Sequence, residues 1–532
     1  MNKILLALLV LTITAAKAER VTVGLSPPRL YADHLLPGSS LERELLLSRS
    51  DQLADLIVSI TVPTAFASWI KVNQTSFTFS RSQESTPLRF LITVPPNAGT
   101  GEYNTSIEVH VKPIASAGIT TEVVFPIDVR LNVTDREYRS FRIRTIRVPD
   151  TQEHITILLP VENNGNARAG PSSVNVSVRD QFNTRELFST TAVVTTSVPP
   201  FSTQTLEVPI RSELDGGQYL ANVTVLDGDN VVLQDAIMFD VVRPTRPWWI
   251  LLAVLMAGLL WLHKRRLLCL VLITACAHVV IAADPLVGPI TAPSTVALNA
   301  DTTKIITCNA TITDADGFEN ITVVNATFFD AAEANATSAN DNNNHYTNTN
   351  CTLIGGSGIT TTAVCEFLVW HYANPSPNWT CNLTATDGIG TSTNTTGNLT
   401  VQELKALSVH SFNYDNSAGG TISLGAVSAQ AMLNVTNAGN VNITVQVNGD
   451  TNAMTCTVGT IPLDNERYNI TAGFAFDNGT ALSNTAINVT GFMVARRTDD
   501  ATPSVNSLYW LLKIPSQGVG GTCTGSITIN AN

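Results

Sequence analysis

Charged residues are scarce in this chain of 532 residues: Asp, Glu, Lys and Arg together make up 14% of it, and aromatics only 6%. So few charges leave little material for the solvated faces of amphipathic helices. The abundance of Thr, Asn, Val and Ala suits half-buried strands joined by polar turns instead. Basic residues are rarest in the second half, where Asp284 to Asn532 holds 18 of the 43 acidic residues but only 6 of the 31 basic ones. The net charge of −12 therefore resides there. A segment this poor in Lys and Arg cannot neutralise phosphates, which argues against nucleic acid as a partner. No C-x-x-C pair or His at ligand spacing is present to build a zinc site. No Ser or Cys sits in a G-x-S-x-G elbow. The sequence singles out no catalytic residue, and the expectation is that the protein is not an enzyme.

Long apolar stretches are few, and each has a targeting signature. Residues 1–18 read as a signal peptide, with Lys3, an apolar Ile4 to Ile13 and Ala16-Lys17-Ala18 as the small-x-small cleavage site. Within a membrane region expected over 247–283, Trp248 to Leu262 is free of charge and reads as a transmembrane helix over 248–262. At about 1.5 Å per residue it is short for a bilayer, but Trp248, Trp249 and Trp261 supply interfacial anchors. A basic turn, His263-Lys264-Arg265-Arg266, follows on the cytoplasmic side. Leu267 to Ala283 is apolar again and has two readings: a second transmembrane helix, or an internal signal peptide cleaved near Ala282-Ala283. Both place the second half outside the cell, where cysteines oxidise.

The remaining sequence alternates with the period of a strand, as in Ser106 to Val111 and Asn442 to Val447. The spacing G-x-[YC]-x-x-x-[IV]-x-[VI] recurs from Gly101, Gly217 and Gly521, and V-x-N-x-G-N recurs at Val161 to Asn166 and Val435 to Asn440, where it reads as a hairpin. The expected fold is all-β, with four tandem immunoglobulin-like sandwiches over 19–132, 133–242, 285–401 and 402–532 and a short helical membrane segment between the second and third. Glu333 to Asn350, rich in Asn and lacking apolar periodicity, reads as a long exposed loop.

Leu25-Ser26-Pro27-Pro28-Arg29, Pro95-Pro96 and the V-x-N-x-G-N pattern give the first half a resemblance to the tandem CARDB-like and other immunoglobulin-like modules of archaeal and bacterial surface proteins. Ile306 to Asp314 and Trp379-Thr380-Cys381-Asn382 make the second half resemble ectodomains of archaeal surface glycoproteins. The resemblance implies a membrane-anchored, N-glycosylated envelope protein, S-layer-like, with a structural or adhesive task. Its expected partners are the lipid bilayer and neighbouring surface proteins or glycans. The alternatives are a ligand- or carbohydrate-binding receptor, for which Trp370, Tyr372 and Trp379 are the nearest thing to an aromatic cluster, and a pilus or filament subunit or assembly chaperone that shares a strand at an open sandwich edge.

Cys308 and Cys381 lie on strands bracketing the third segment, as an immunoglobulin inter-sheet disulfide would; Cys351 and Cys365 flank a Gly-rich turn, and Cys456 is left to pair with Cys523. Acceptors for N-glycosylation begin at Asn309, Asn320, Asn325, Asn335, Asn350, Asn378, Asn382, Asn394, Asn398, Asn434, Asn442, Asn469, Asn478 and Asn488, every one N-x-T. Asn73, Asn104, Asn132, Asn175 and Asn222 are further candidates in the first half. Calcium is the one cofactor suggested, by the partial motif of Asp314, Asp316 and Glu319, in a stretch that reads first as an ordinary Asp-Gly turn.

Overall fold

The computed structural model describes residues 20–532 except 115–118, 150, 152–153, 181–184, 213, 242–283, 415–420 and 450–452. The expected signal peptide and the membrane region at 247–283 lie outside the described residues. Among the described residues the chain is all-β, relieved only by single 3-10 turns, and no helix is long and apolar enough to cross a membrane.

Alternation decides which face of each strand is buried. Val174, Val176 and Val178 of Ser173–Asp180 point inward with exposed or half-exposed polar residues between them, and Val445 and Val447 do the same in Ile443–Gly449. The second segment folds into a sandwich of a three-stranded and a four-stranded sheet around its own core. The third pairs a four-stranded with a five-stranded sheet. Cys308, on Thr303–Thr313, is bonded to Cys381, on Ser376–Thr386, so this disulfide ties the two sheets of the third sandwich together. Trp379 is fully buried nearby and stacks on Phe328 at 4.5 Å. Cys351–Cys365 and Cys456–Cys523 also form, each across neighbouring strands.

The first and fourth segments do not keep separate cores. Their buried side chains form one continuous cluster, from Val21 to Val133 and on from Leu407 to Ala531. The described residues thus gather into three cores, because both sheets of the first segment run on, strand by strand, into both sheets of the fourth.

The two repeated patterns acquire distinct roles. The tyrosines of the first pattern form tyrosine corners: Tyr103 Oη donates to Gly99 O at 3.0 Å and Tyr219 Oη to Asp215 O at 2.9 Å. The third copy has Cys523 there, which is spent in a disulfide. The second pattern is not a hairpin. Each copy joins strands of opposite sheets, Ile155–Asn163 to Ser173–Asp180 and Ala431–Asn437 to Ile443–Gly449. Its first Asn closes the crossover: Asn163 Nδ2 donates to Ala167 O and Val198 O, and Asn437 Nδ2 to Val441 O and Val494 O. Its second Asn grips the linker from the preceding sandwich, Asn166 through Arg136 O and Tyr138 N, Asn440 through Gln402 O and Leu404 N. The glycine is required by that close approach, since a Cβ on Gly439 would fall 2.1 Å from Leu404 O.

Between 333 and 350 the chain is mostly irregular, as expected, but it includes the short strand His345–Asn348, whose Tyr346 is buried in the third core.

Candidate functional site: a strand shared by two sandwiches

The strand Ile119–Val133 runs for 15 residues, the longest of the strands described, and serves two sandwiches at once. Along one edge it pairs antiparallel with Gly101–Pro113 of its own sandwich. Along the other edge, its C-terminal part pairs with Arg29–Leu35, while Ile119 to Val124 pair in parallel with Gly525 to Asn530 of the strand Gly520–Ala531. Ile119, Thr121 and Val123 point inward and are at most 3% exposed, so the same strand face that fills the first core extends into that of the fourth sandwich. Thr121 Oγ1 donates to His410 O at 3.1 Å.

The opposite layer is joined by the opening strand. Arg20 to Leu25 pair antiparallel with Lys405 to His410, in the register Arg20↔His410 to Leu25↔Lys405. Gly24 lies at the closest approach: a Cβ there would stand 2.5 Å from Ala406 Cβ, 2.9 Å from Leu404 Cδ1 and 3.2 Å from Ala300 Cβ. Polar pairs cross the seam as well. Arg20 Nε donates to Ser408 Oγ at 2.6 Å and Arg29 pairs with Glu403, while Arg20 Nη2 also reaches Asp301 of the third segment at 3.1 Å. Beneath it, Arg49 and Asp51 form a buried ion pair at 2.6 Å, and Asp51 Oδ2 accepts the Thr22 amide, fixing the opening strand from the first-sandwich side.

On the outer face of the seam is a polar groove of about 340 Å³ whose walls include Glu108, His110 and Glu122 from the first sandwich and Asn448, Thr528 and Asn530 from the fourth. His110 sits between two carboxylates, Nδ1 at 2.9 Å from Glu122 Oε1 and Nε2 at 3.2 Å from Glu108 Oε2. The hydrogen bond that Glu122 accepts raises the His110 pKa above the ordinary 6.5, against the effect of burial. Since Glu122 lies on the shared strand, opposite Thr528, His110 braces that strand where it crosses to the fourth sandwich, and does so most strongly when protonated.

An unpaired sheet edge presents a row of free amides and carbonyls, and an open end of core. Here each sandwich covers the other's edges in both layers, the geometry by which an added strand gives affinity through main-chain bonds and specificity through alternate side chains.

The structure disperses some sequence-stated candidates and assembles others. Among the glycosylation acceptors, Asn320, Asn325, Asn335, Asn350, Asn378, Asn398, Asn442, Asn478 and Asn488 are exposed, and Asn309, Asn382, Asn394, Asn434 and Asn469 half-buried. Asn394 Nδ2 is already committed to Val287 O and Gly288 O. Of the aromatic trio, Trp379 and Tyr372 are buried and Trp370 is half-buried against Tyr372, so they form no exposed platform. Of the calcium candidates, Asp314 and Asp316 come together with Asp387, not with Glu319, which is exposed and folded over Gly317. The seam was not anticipated. Its legible signal was the long run of inward-facing residues at every second position from Ile119 to Val133, interrupted by the additional buried Val124, and Gly24 lying between Val23 and Leu25.

No family model matches the chain, and no curated relative does. Among solved structures, it is similar to the YadV chaperone (9% identity, 41% of this chain and 98% of that one, TM-score 0.17). It is also similar to the I67–I69 fragment of titin (8% identity, 71% and 98%, TM-score 0.14). A third likeness is to Escherichia coli alpha-2-macroglobulin (8% identity, 96% and 44%, TM-score 0.16). Nothing about what this chain binds or does follows from likenesses of this size. The tyrosine corners, the inter-sheet disulfide and the two-layer topology are features of immunoglobulin-like sandwiches in the chain itself.

Proposed function

We propose that this chain is an exported, membrane-anchored and N-glycosylated structural protein of the cell envelope, in which the first half acts as a built-in assembly partner for the second. The observation that carries this reading is the parallel pairing of Ile119–Val124 with Gly525–Asn530, with inward side chains entering a common core. The first half holds the fourth sandwich closed by lending it strands in both layers, and the second half carries the sequons outward. This joins the structural reading to the assembly-subunit alternative. The receptor reading loses its motivating feature with the burial of Tyr372 and Trp379.

The test is to place a protease site between residues 242 and 283 of the full-length protein, cut it, and follow the two halves by size-exclusion chromatography in detergent. The expected result is co-elution, abolished by Val123→Asp, which puts a carboxylate into the common core. Separation of the halves after cutting the unsubstituted protein would refute the proposal.

A further inference from the structure

The third sandwich carries the same eight-residue pattern twice, T-C-N-x-T-x-T-D, at Thr307 to Asp314 and at Thr380 to Asp387. The two copies lie on strands of opposite sheets, and their cysteines are bonded to each other. Each chain then runs the same distance past its cysteine to a terminal aspartate, and the two aspartates meet where the strands end. Carboxylate oxygens of Asp314, Asp387 and Asp316 all lie within 4.8 Å of one another.

Acidic residues gather on many surfaces without consequence, but two of these are held differently. Asp314 is fully buried and Asp387 is 7% exposed. In each, one oxygen is fixed by backbone amides: Asp314 Oδ1 accepts from Asp316 N at 2.9 Å, and Asp387 Oδ1 accepts from Ile389 N at 2.7 Å and Gly390 N at 2.8 Å. In each, the second oxygen, Oδ2, is buried and has no hydrogen-bond partner. The charges that act on Asp314 are the like charges of Asp387 and Asp316. A further carboxylate, Asp284, lies against Gly390. Buried, unpartnered carboxylate oxygens facing like charge are costly unless a cation neutralises them.

We propose that Asp314, Asp316 and Asp387 bind a calcium ion that ties the two sheets of the third sandwich together at the end where Asp284 lies. The ligands are all hard oxygens on loops, an irregular arrangement that calcium accepts with six to eight ligands at roughly 2.3–2.6 Å, water and backbone carbonyls completing the shell, whereas magnesium demands a near-ideal octahedron. The ion and the Cys308–Cys381 disulfide then staple the same pair of strands at two levels. Glu319 takes no part.

The experiment uses the full-length protein, stripped with a chelator, with calcium binding measured by calorimetry and thermal unfolding followed with and without calcium. Saturable calcium binding with a rise in Tm is expected, with magnesium at the same concentration giving a smaller rise. Asp387→Asn should weaken calcium binding at least tenfold, while Glu319→Gln leaves it unchanged. Asp316→Asn, at a half-exposed position, should also weaken it and guards against a folding defect in the buried variants. Absence of saturable binding, or equal affinity in the Asp387→Asn, Asp316→Asn and unsubstituted proteins, would overturn the proposal.

Discussion

Replacing Gly24 by alanine adds one methyl group at the centre of the seam, and its effect has a different sign with and without the fourth sandwich in contact. Gly24 has no positive φ, so alanine meets no backbone strain there. In an isolated strand the change should stabilise by about 0.5–1 kcal/mol, because glycine loses more conformational freedom on folding. At the seam the new Cβ stands 2.5 Å from Ala406 Cβ, when carbon atoms rest at roughly 3.5–4.0 Å. The opening strand and Lys405–His410 must therefore part by about 1 Å, an overpacking cost of ~1–3 kcal/mol. The net expectation is a loss of stability in urea or thermal unfolding, with faster amide exchange along Lys405–His410. Ala406→Gly in the same chain removes the nearest atom, so the double variant should recover about 1–2 kcal/mol relative to additivity. If Gly24→Ala proves neutral or stabilising, with no coupling to position 406, the two sandwiches do not pack as described.

Arg49→Ala should cost about 3–5 kcal/mol in a denaturant titration, because it leaves Asp51 buried without its cation and loosens the Thr22 amide it holds. Burial pushes Glu466 up from 4.5 to about 7, and Tyr414 Oη donates to it at 3.0 Å. Its folded value lies above the unfolded one, so ionisation favours the unfolded chain and stability falls as pH climbs from 4.5 to 7. Glu466→Gln should remove that slope and leave the variant up to about 3 kcal/mol more stable at about pH 8. His110 has the opposite chemistry with the same direction: its brace on Glu122 is fully present below 6.5 and is lost as pH rises through its raised folded value, so protection factors at Gly525–Asn530, corrected for the intrinsic base-catalysed rate, should fall on that rise and His110→Gln should abolish the fall. Mass spectrometry of the protein made in a glycosylating host should find glycan at exposed Asn335, Asn350 and Asn378, and none at Asn394, whose amide nitrogen is committed to two carbonyls.

Alternation of apolar and polar residues along single strands determined the all-β class, because which face is buried follows from a period of two and needs no knowledge of the partner strand. The even number of cysteines in the second half and their positions likewise led to Cys308–Cys381, Cys351–Cys365 and Cys456–Cys523. Pairing between strands is a different kind of information. Gly525 to Asn530 alternates in the same way whichever strand lies beside it, so nothing local in either segment states that Ile119 to Val124, some four hundred residues away in sequence, is its neighbour. The same limit hid Asp387: it joins Asp314 only because two sheets fold face to face, and Glu319, closer in sequence, points elsewhere. Asn-Gly likewise signals a turn, but only the layer to which the next strand belongs separates a hairpin from a crossover, and that is decided by where the core closes. Strand identity and burial follow from short-range pattern, and the cysteine pairs from their even number and placement; the shared core, the seam and the carboxylate cluster belong to contacts across long loops, which only the folded chain brings within reach.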